Sequence, residues 1–250
     1  MIHSFLLIGQ SNMAGRGFIA EAEHIENENL LVLRNGRWQP LYRPVNCDRP
    51  FSGVCLAESF AAMYAKEKGV MTGLIPCADG GTALEQWKEG SLLFDNAVYQ
   101  ARLAARTSTV AGVLWHQGEA DCSESLYPIY EGKLSAMIAA LRRKLQLWDV
   151  PFILGGLGDF LSEFADSTNL RNYKKVNEAL RHYAENNDMT GFVSAEGLTS
   201  NPDKLHFNTK SLIEFGKRYY EVFKKCEDPN KIFIEKENTD FAERSKMERL

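Results

Sequence analysis

Short apolar runs alternate along this chain with longer stretches in which apolar residues recur every three or four positions. His3 to Ile8 is a mostly apolar run ending at Gly9, the pattern of a buried strand. Leu30–Arg34 and Arg37–Leu41 flank Asn35-Gly36, a pair suited to a type I′ hairpin because both central residues need positive φ. Val54–Lys68 reads as a helix closed by Gly69, and Val70–Pro76 as the next strand. A helix follows from Leu92 to Arg106, then a strand from Val110 to Trp115. Tyr130, Leu134, Met137, Ile138, Leu141, Leu145 and Trp148 keep a helical period. Pro151–Leu157 and Met189–Ala195 read as strands, with helices marked by Leu170–Tyr183 and Leu212–Val222.

This alternation predicts a parallel sheet with helices on both faces. In such sheets ligands bind beyond the carboxyl ends of the strands. The polar segments there are Gly9–Gly17, Cys77–Thr82, His116–Asp121 and Gly155–Asp159. Residues 226–250 are charge-rich and read as a peripheral helix, a tail or a dimer arm, so a homo-oligomer stays open.

Composition narrows the classes. The chain has 250 residues, 44% hydrophobic and 25% charged, which excludes a disordered chain or a disulfide scaffold. A net charge of -4 gives no basic footprint for nucleic acid. The early run Phe5–Ile8 is too short for a signal-peptide core or a membrane span. Five cysteines without C-x-x-C spacing read as free thiols, so a cytoplasmic location is expected.

Ser11 follows the first strand in Gly9-Gln10-Ser11-Asn12-Met13-Ala14-Gly15. A serine on a tight strand-to-helix turn exposes its Oγ where backbone N–H groups converge, the logic of a nucleophile elbow. Serine also favours helix N-caps, so the cap reading stands beside it. A serine nucleophile needs a base. Of the five histidines, His206 lies in the loop Asn201–Phe207 after the last strand, and Asp203 is three residues upstream. A carboxylate at that spacing can reach the imidazole and fix its tautomer. Oxyanion donors are sought in the Ser11 N–H, the N–H of Gly80 or Gly81, and the Gln117 amide. Trp87, just past the glycine loop, suits a pocket wall.

Four segments together resemble the SGNH-type hydrolases, in the branch of carbohydrate esterase family 6 acetylxylan esterases and sialate O-acetylesterase domains. They are Gly9–Gly15, Gly80-Gly81-Thr82-x-Leu84-x-x-Trp87, Trp115–Asp121 and Asp203-x-x-His206, in the family's order over positions 3–225. The resemblance implies a three-layer α/β/α fold with a flavodoxin-like, mostly parallel five-stranded sheet. It implies an esterase domain over 1–225 that removes acetyl groups from a carbohydrate without a cofactor. Ser11 would be the nucleophile, His206 the base and Asp203 its partner, with Glu119 a rival acid. Ser11, Gly80 or Gly81, and Gln117 would form the oxyanion hole, and Gln10, Asn12, Trp87 and His116 would border the substrate.

Other readings have less behind them. A metal hydrolase could draw on His116, Glu119, Asp121 and His206, but no His-Glu-x-x-His or paired-Cys spacing occurs. Cys77 and Cys122 lie at strand ends beside acidic residues, which oppose a thiolate. Neither nucleotide-binding glycine motif is present. A non-catalytic sugar-binding module would use Trp87 and Trp115 as platforms.

Overall fold

A strand covered on both faces needs apolar side chains pointing both ways, and Phe5–Ile8 supplies them. In the computed structural model, which describes residues 1–25, 27–164 and 169–227, this run lies in β1 (Ile2–Gly9). The other strands are β2 (Leu30–Arg34), β3 (Arg37–Pro40), β4 (Met71–Pro76), β5 (Thr109–His116), β6 (Phe152–Gly155) and β7 (Thr190–Val193). Across the sheet they run β3-β2-β4-β1-β5-β6-β7. Every neighbouring pair is parallel except β2 with β3.

The sheet therefore has seven strands, two more than expected. The hairpin docks on the β4 edge through Leu30–Thr72, Leu31–Gly73 and Val32–Leu74, which leaves β3 as an antiparallel edge. Its turn has Asn35 at φ 50° and Gly36 at φ 72°, the two positive angles a type I′ turn requires.

The helices are α1 (Ser11–Ala14), α2 (Leu56–Lys68), α3 (Leu92–Ala104), α4 (Tyr127–Leu145), α5 (Tyr173–Glu185) and α6 (Thr209–Cys226). Right-handed crossovers place α2 on one face, then α3, α4 and α5 on the other, because the chain reverses direction across the sheet after β4. α6 returns to pack on α2. The result is the three-layer α/β/α sandwich. The Cys55 N–H donates to Glu58 Oε1 at 3.1 Å at the start of α2, and Gly69 closes the helix at φ 66°. α4 stops at Leu145, short of the expected Trp148. Gln146 turns left-handed at φ 57°, and the Arg142 guanidinium takes the carbonyls of Leu147 and Val150 at 2.6 and 2.8 Å. Trp148 is consequently exposed. Residues 228–250 of the expected tail lie outside the described residues.

Two features of this frame position the site. The reversal around β1 opens a crevice at its carboxyl end. In addition, Phe5 meets Phe60, Tyr64 and Phe223 edge-on at 4.8, 4.7 and 5.6 Å, tying β1 to α2 and α6. Anchoring α6 brings the loop before it, residues 200–208, to that crevice. Among the described residues, no helix is long and apolar enough to cross a membrane.

Candidate functional site

β1 ends against the end of β5. A Cβ on Gly9 would lie 2.1 Å from the His116 carbonyl oxygen, and Gly9 adopts φ 126°, so only glycine fits there. The next N–H, of Gln10, donates to that same carbonyl at 2.9 Å. Gln10 is the N-cap of α1, and Ser11 is its first helical residue rather than the cap. As the first helical residue, Ser11 has an N–H with no intrahelical carbonyl to bond.

His206 comes from the loop before α6. Its Nε2 lies 3.0 Å from Ser11 Oγ, and its Nδ1 lies 2.7 Å from Asp203 Oδ2. The other carboxylate oxygen accepts the N–H groups of Leu205 and His206 at 2.9 and 3.0 Å. This Asx-type turn is possible because Lys204 adopts φ 57°. Partial burial alone would push the Asp203 carboxyl up. The hydrogen bonds from the His206 backbone and ring and from Leu205 outweigh it and hold the group below its ordinary range. An ionised partner at Nδ1 favours the tautomer whose Nε2 can accept the Ser11 proton.

The Gly80 side was not anticipated. Gly80 N–H donates to Asp48 Oδ2 at 2.9 Å, and the Gly80 carbonyl accepts from Arg49 Nη2 at 2.9 Å. Asp48 also receives Arg16 at 2.6 and 3.1 Å, Ser52 Oγ at 2.7 Å and Asn46 Nδ2 at 3.3 Å. A Cβ on Gly80 would meet Arg16 Nη2 at 2.5 Å and Ser11 Cβ at 3.4 Å, so the ion pair sits directly against the glycine and the serine. Burial would raise the Asp48 carboxyl, but the bonds from Arg16 and Ser52 and the Arg16 charge pull it below its ordinary value. The Gly80 N–H is thereby committed to Asp48. Arg16 shares the Ser11 loop and could have been suspected from that, whereas nothing in the sequence marks Asp48.

The sequence model of the family described as "Carbohydrate esterase, sialic acid-specific acetylesterase" matches residues 1–225. The chain belongs to this family of carbohydrate esterases. A probable carbohydrate esterase of Arabidopsis thaliana is 29% identical over 239 residues, 85% of this chain and 86% of that one. The X-ray structure of that Arabidopsis protein gives a TM-score of 0.78 at 26% identity over 89% of this chain and 98% of the other. The crystal structure of NanS gives 0.70 at 18% identity, over 90% of this chain and 97% of that one. A carbohydrate acetylesterase from Xanthomonas citri gives 0.68 at 20% identity, over 90% of this chain and 56% of that one. The last two likenesses show the shared fold.

In the esterase, several other expected site residues turn away from Ser11. The Gln117 amide is fully buried and spent elsewhere: Nε2 donates to Asp121 Oδ2 at 2.5 Å and to the Thr82 carbonyl at 3.1 Å, and Oε1 accepts from Tyr130 at 3.1 Å. It braces the Thr82 and Asp121 loops and is not aimed at an oxyanion. Trp87 is also buried, edge-on to Trp115 at 5.6 Å, with its N–H on Thr82 Oγ1 at 3.0 Å. It is core, not pocket wall. His116 has no exposure, and its Nε2 lies 3.2 Å from the Gly156 carbonyl. Gln10 is buried with Oε1 near the Gly118 and Ala120 N–H groups, both at 3.5 Å.

Asn12 is buried beneath the Ser11–His206 contact. Glu119, the rival acid, does not partner His206; its Oε1 accepts from Asn12 Nδ2 at 2.6 Å. The four-residue metal reading is not assembled either. His206 is engaged by Asp203 and Ser11, Asp121 by Gln117, and among the described residues no three such side chains group as ligands. Burial pushes the Cys77 thiol up to about 12 and raises Cys122 further with help from Glu119 and Asp121, so neither is a ready nucleophile.

Proposed function

We propose that the protein is a serine esterase that removes O-acetyl groups from carbohydrates through an acetyl-enzyme. The observation that carries this reading is the hydroxyl–imidazole–carboxylate chain, with 3.0 Å from Ser11 Oγ to His206 Nε2 and 2.7 Å from His206 Nδ1 to Asp203 Oδ2. Ser11 Oγ attacks the acetyl carbonyl while His206 takes its proton, and Asp203 stabilises the imidazolium. The Ser11 and Gly81 N–H groups receive the oxyanion. The imidazolium then protonates the departing sugar oxygen, and water, activated by the same base, releases acetate. Asp203 is held below the ordinary carboxyl range, so it stays ionised as the partner of His206 in mild acid.

A sugar-binding module has no use for such a chain, and the tryptophans it would have offered as platforms, Trp87 and Trp115, are both core. Acetylated xylan fragments and acetylated sialic acids are the substrate classes to test. The thiols are all free, which supports a reducing compartment such as the cytoplasm. The test is acetate release from a panel of acetylated sugars and from p-nitrophenyl acetate. Ser11→Ala should lose about 10⁴-fold or more in kcat, and mass spectrometry of quenched wild-type enzyme should find the acetyl group on Ser11. Wild-type turnover by folded Ser11→Ala would overturn the proposal.

A further inference from the structure

Asp203 and His206 share one loop and move together, whereas Ser11 belongs to another loop 195 residues away. Two side chains join the loops: Asn201 Nδ2 donates to the Arg16 carbonyl at 2.9 Å, and Asn12, one residue beyond the nucleophile, reaches the residues on either side of His206. Asn12 Oδ1 accepts the Phe207 N–H at 3.0 Å, and Asn12 Nδ2 donates to the Leu205 carbonyl at 3.3 Å. One amide thus grips the residue before His206 and the residue after it. Such a grip needs an acceptor and a donor a fixed distance apart on a short stem; aspartate lacks the donor and leucine lacks both. An amide can flip, and flipped it would set its NH₂ against the Phe207 N–H. Glu119 prevents this, because its Oε1 at 2.6 Å accepts only from the NH₂ side. Glu119 Oε2 has no hydrogen-bond partner, so a glutamine at 119 could keep the acceptor at the Oε1 position and carry its own NH₂ where Oε2 stands.

We infer that Asn12 is a positioning residue that sets the reach from His206 to Ser11, and that Glu119 acts through it by fixing the orientation of its amide. The inference rests on the reading of Ser11 and His206 as nucleophile and base. It also gives Glu119 a task that does not require contact with the imidazole.

The experiment measures kcat and KM on p-nitrophenyl acetate, thermal unfolding, and the rate at which diethyl 4-nitrophenyl phosphate labels Ser11. In the labelling step an Oγ–P bond forms, the bond from phosphorus to nitrophenolate breaks, and His206 takes the serine proton. Asn12→Ala should lose about 10²-fold in kcat with KM within about threefold, since a displacement of about 1 Å costs that much. Labelling should slow by the same factor. Glu119→Ala should lose about tenfold, and Glu119→Gln, which retains an acceptor, should recover most of it. A folded Asn12→Ala with unchanged kcat and labelling overturns the inference, as does Glu119→Gln falling as far as Glu119→Ala. If Asn12→Ala does not fold, Asn12→Asp and the two Glu119 variants decide the matter alone. Wild-type enzyme that is not labelled at Ser11 would instead overturn the underlying function.

Discussion

On one side of Ser11 the His206 loop is held by neutral amides and one carboxylate half open to water; on the other the Gly80 loop leans on a buried ion pair. Asp203 keeps 45% of its side-chain exposure, whereas Asp48 keeps 2%. The two carboxylates otherwise look alike, since each accepts from the backbone, Asp203 two N–H groups and Asp48 one, and faces one cationic or protonatable partner. Their surroundings fit different duties. On the proposed mechanism the imidazole changes charge in every cycle, and a partner near water lets solvent respond. On the same proposal the Gly80–Gly81 backbone stays still while charge develops nearby, and donors fixed in advance need no reorganisation.

This contrast can be broken at either carboxylate. Asp203→Asn should lose up to about 10⁴-fold in kcat while its unfolding free energy moves by less than about 1 kcal/mol, as for an exposed pair. Asp48→Ala should do the reverse: it strands Arg16 without its partner, and urea denaturation should show a loss of about 3–5 kcal/mol. Equal stability losses in both variants would erase the distinction. Gln117→Ala removes one of two donors to buried Asp121, the other being the Leu84 N–H, so it should cost about 1–3 kcal/mol in the same assay.

The smallest effect is one of pH. Asp48 titrates below its ordinary value in the folded protein, so the unfolded chain binds the proton first. Its stabilisation is therefore complete at neutral pH and drains away as pH falls from about 4 through the lower folded value. Asp48→Asn should flatten that part of a stability–pH curve measured by urea midpoints, and an unchanged curve would show that Asp48 is not the group responsible.

Local pattern carried much of this architecture. Phe5–Ile8 and Val110–Trp115 could only be covered strands, Asn35-Gly36 fixed its turn by φ alone, and Asp203-x-x-His206 lies within one loop, where spacing translates into contact. What escaped depended on partners distant in sequence. Nothing in Leu30–Arg34 says that it will extend the sheet beside β4. The level of Gln117, His116 and Trp87 at the strand ends was readable, but the side to which each turns was not. Asn12 was expected beside the substrate, yet both its hydrogen-bonding ends are used by the Leu205–Phe207 backbone. Asp48 sits in a segment without periodicity, and only the folded approach of residues 46–52 to Gly80 reveals it.

The placement of His206 just ahead of α6 has a consequence for biosynthesis. A ribosome adding about 5–20 residues per second needs on the order of ten seconds or more to travel from the serine codon to the histidine codon. On the proposed mechanism, the nascent chain displays throughout that interval a hydroxyl with no base to activate it, so an emerging polypeptide cannot act on its neighbours before α6 is docked.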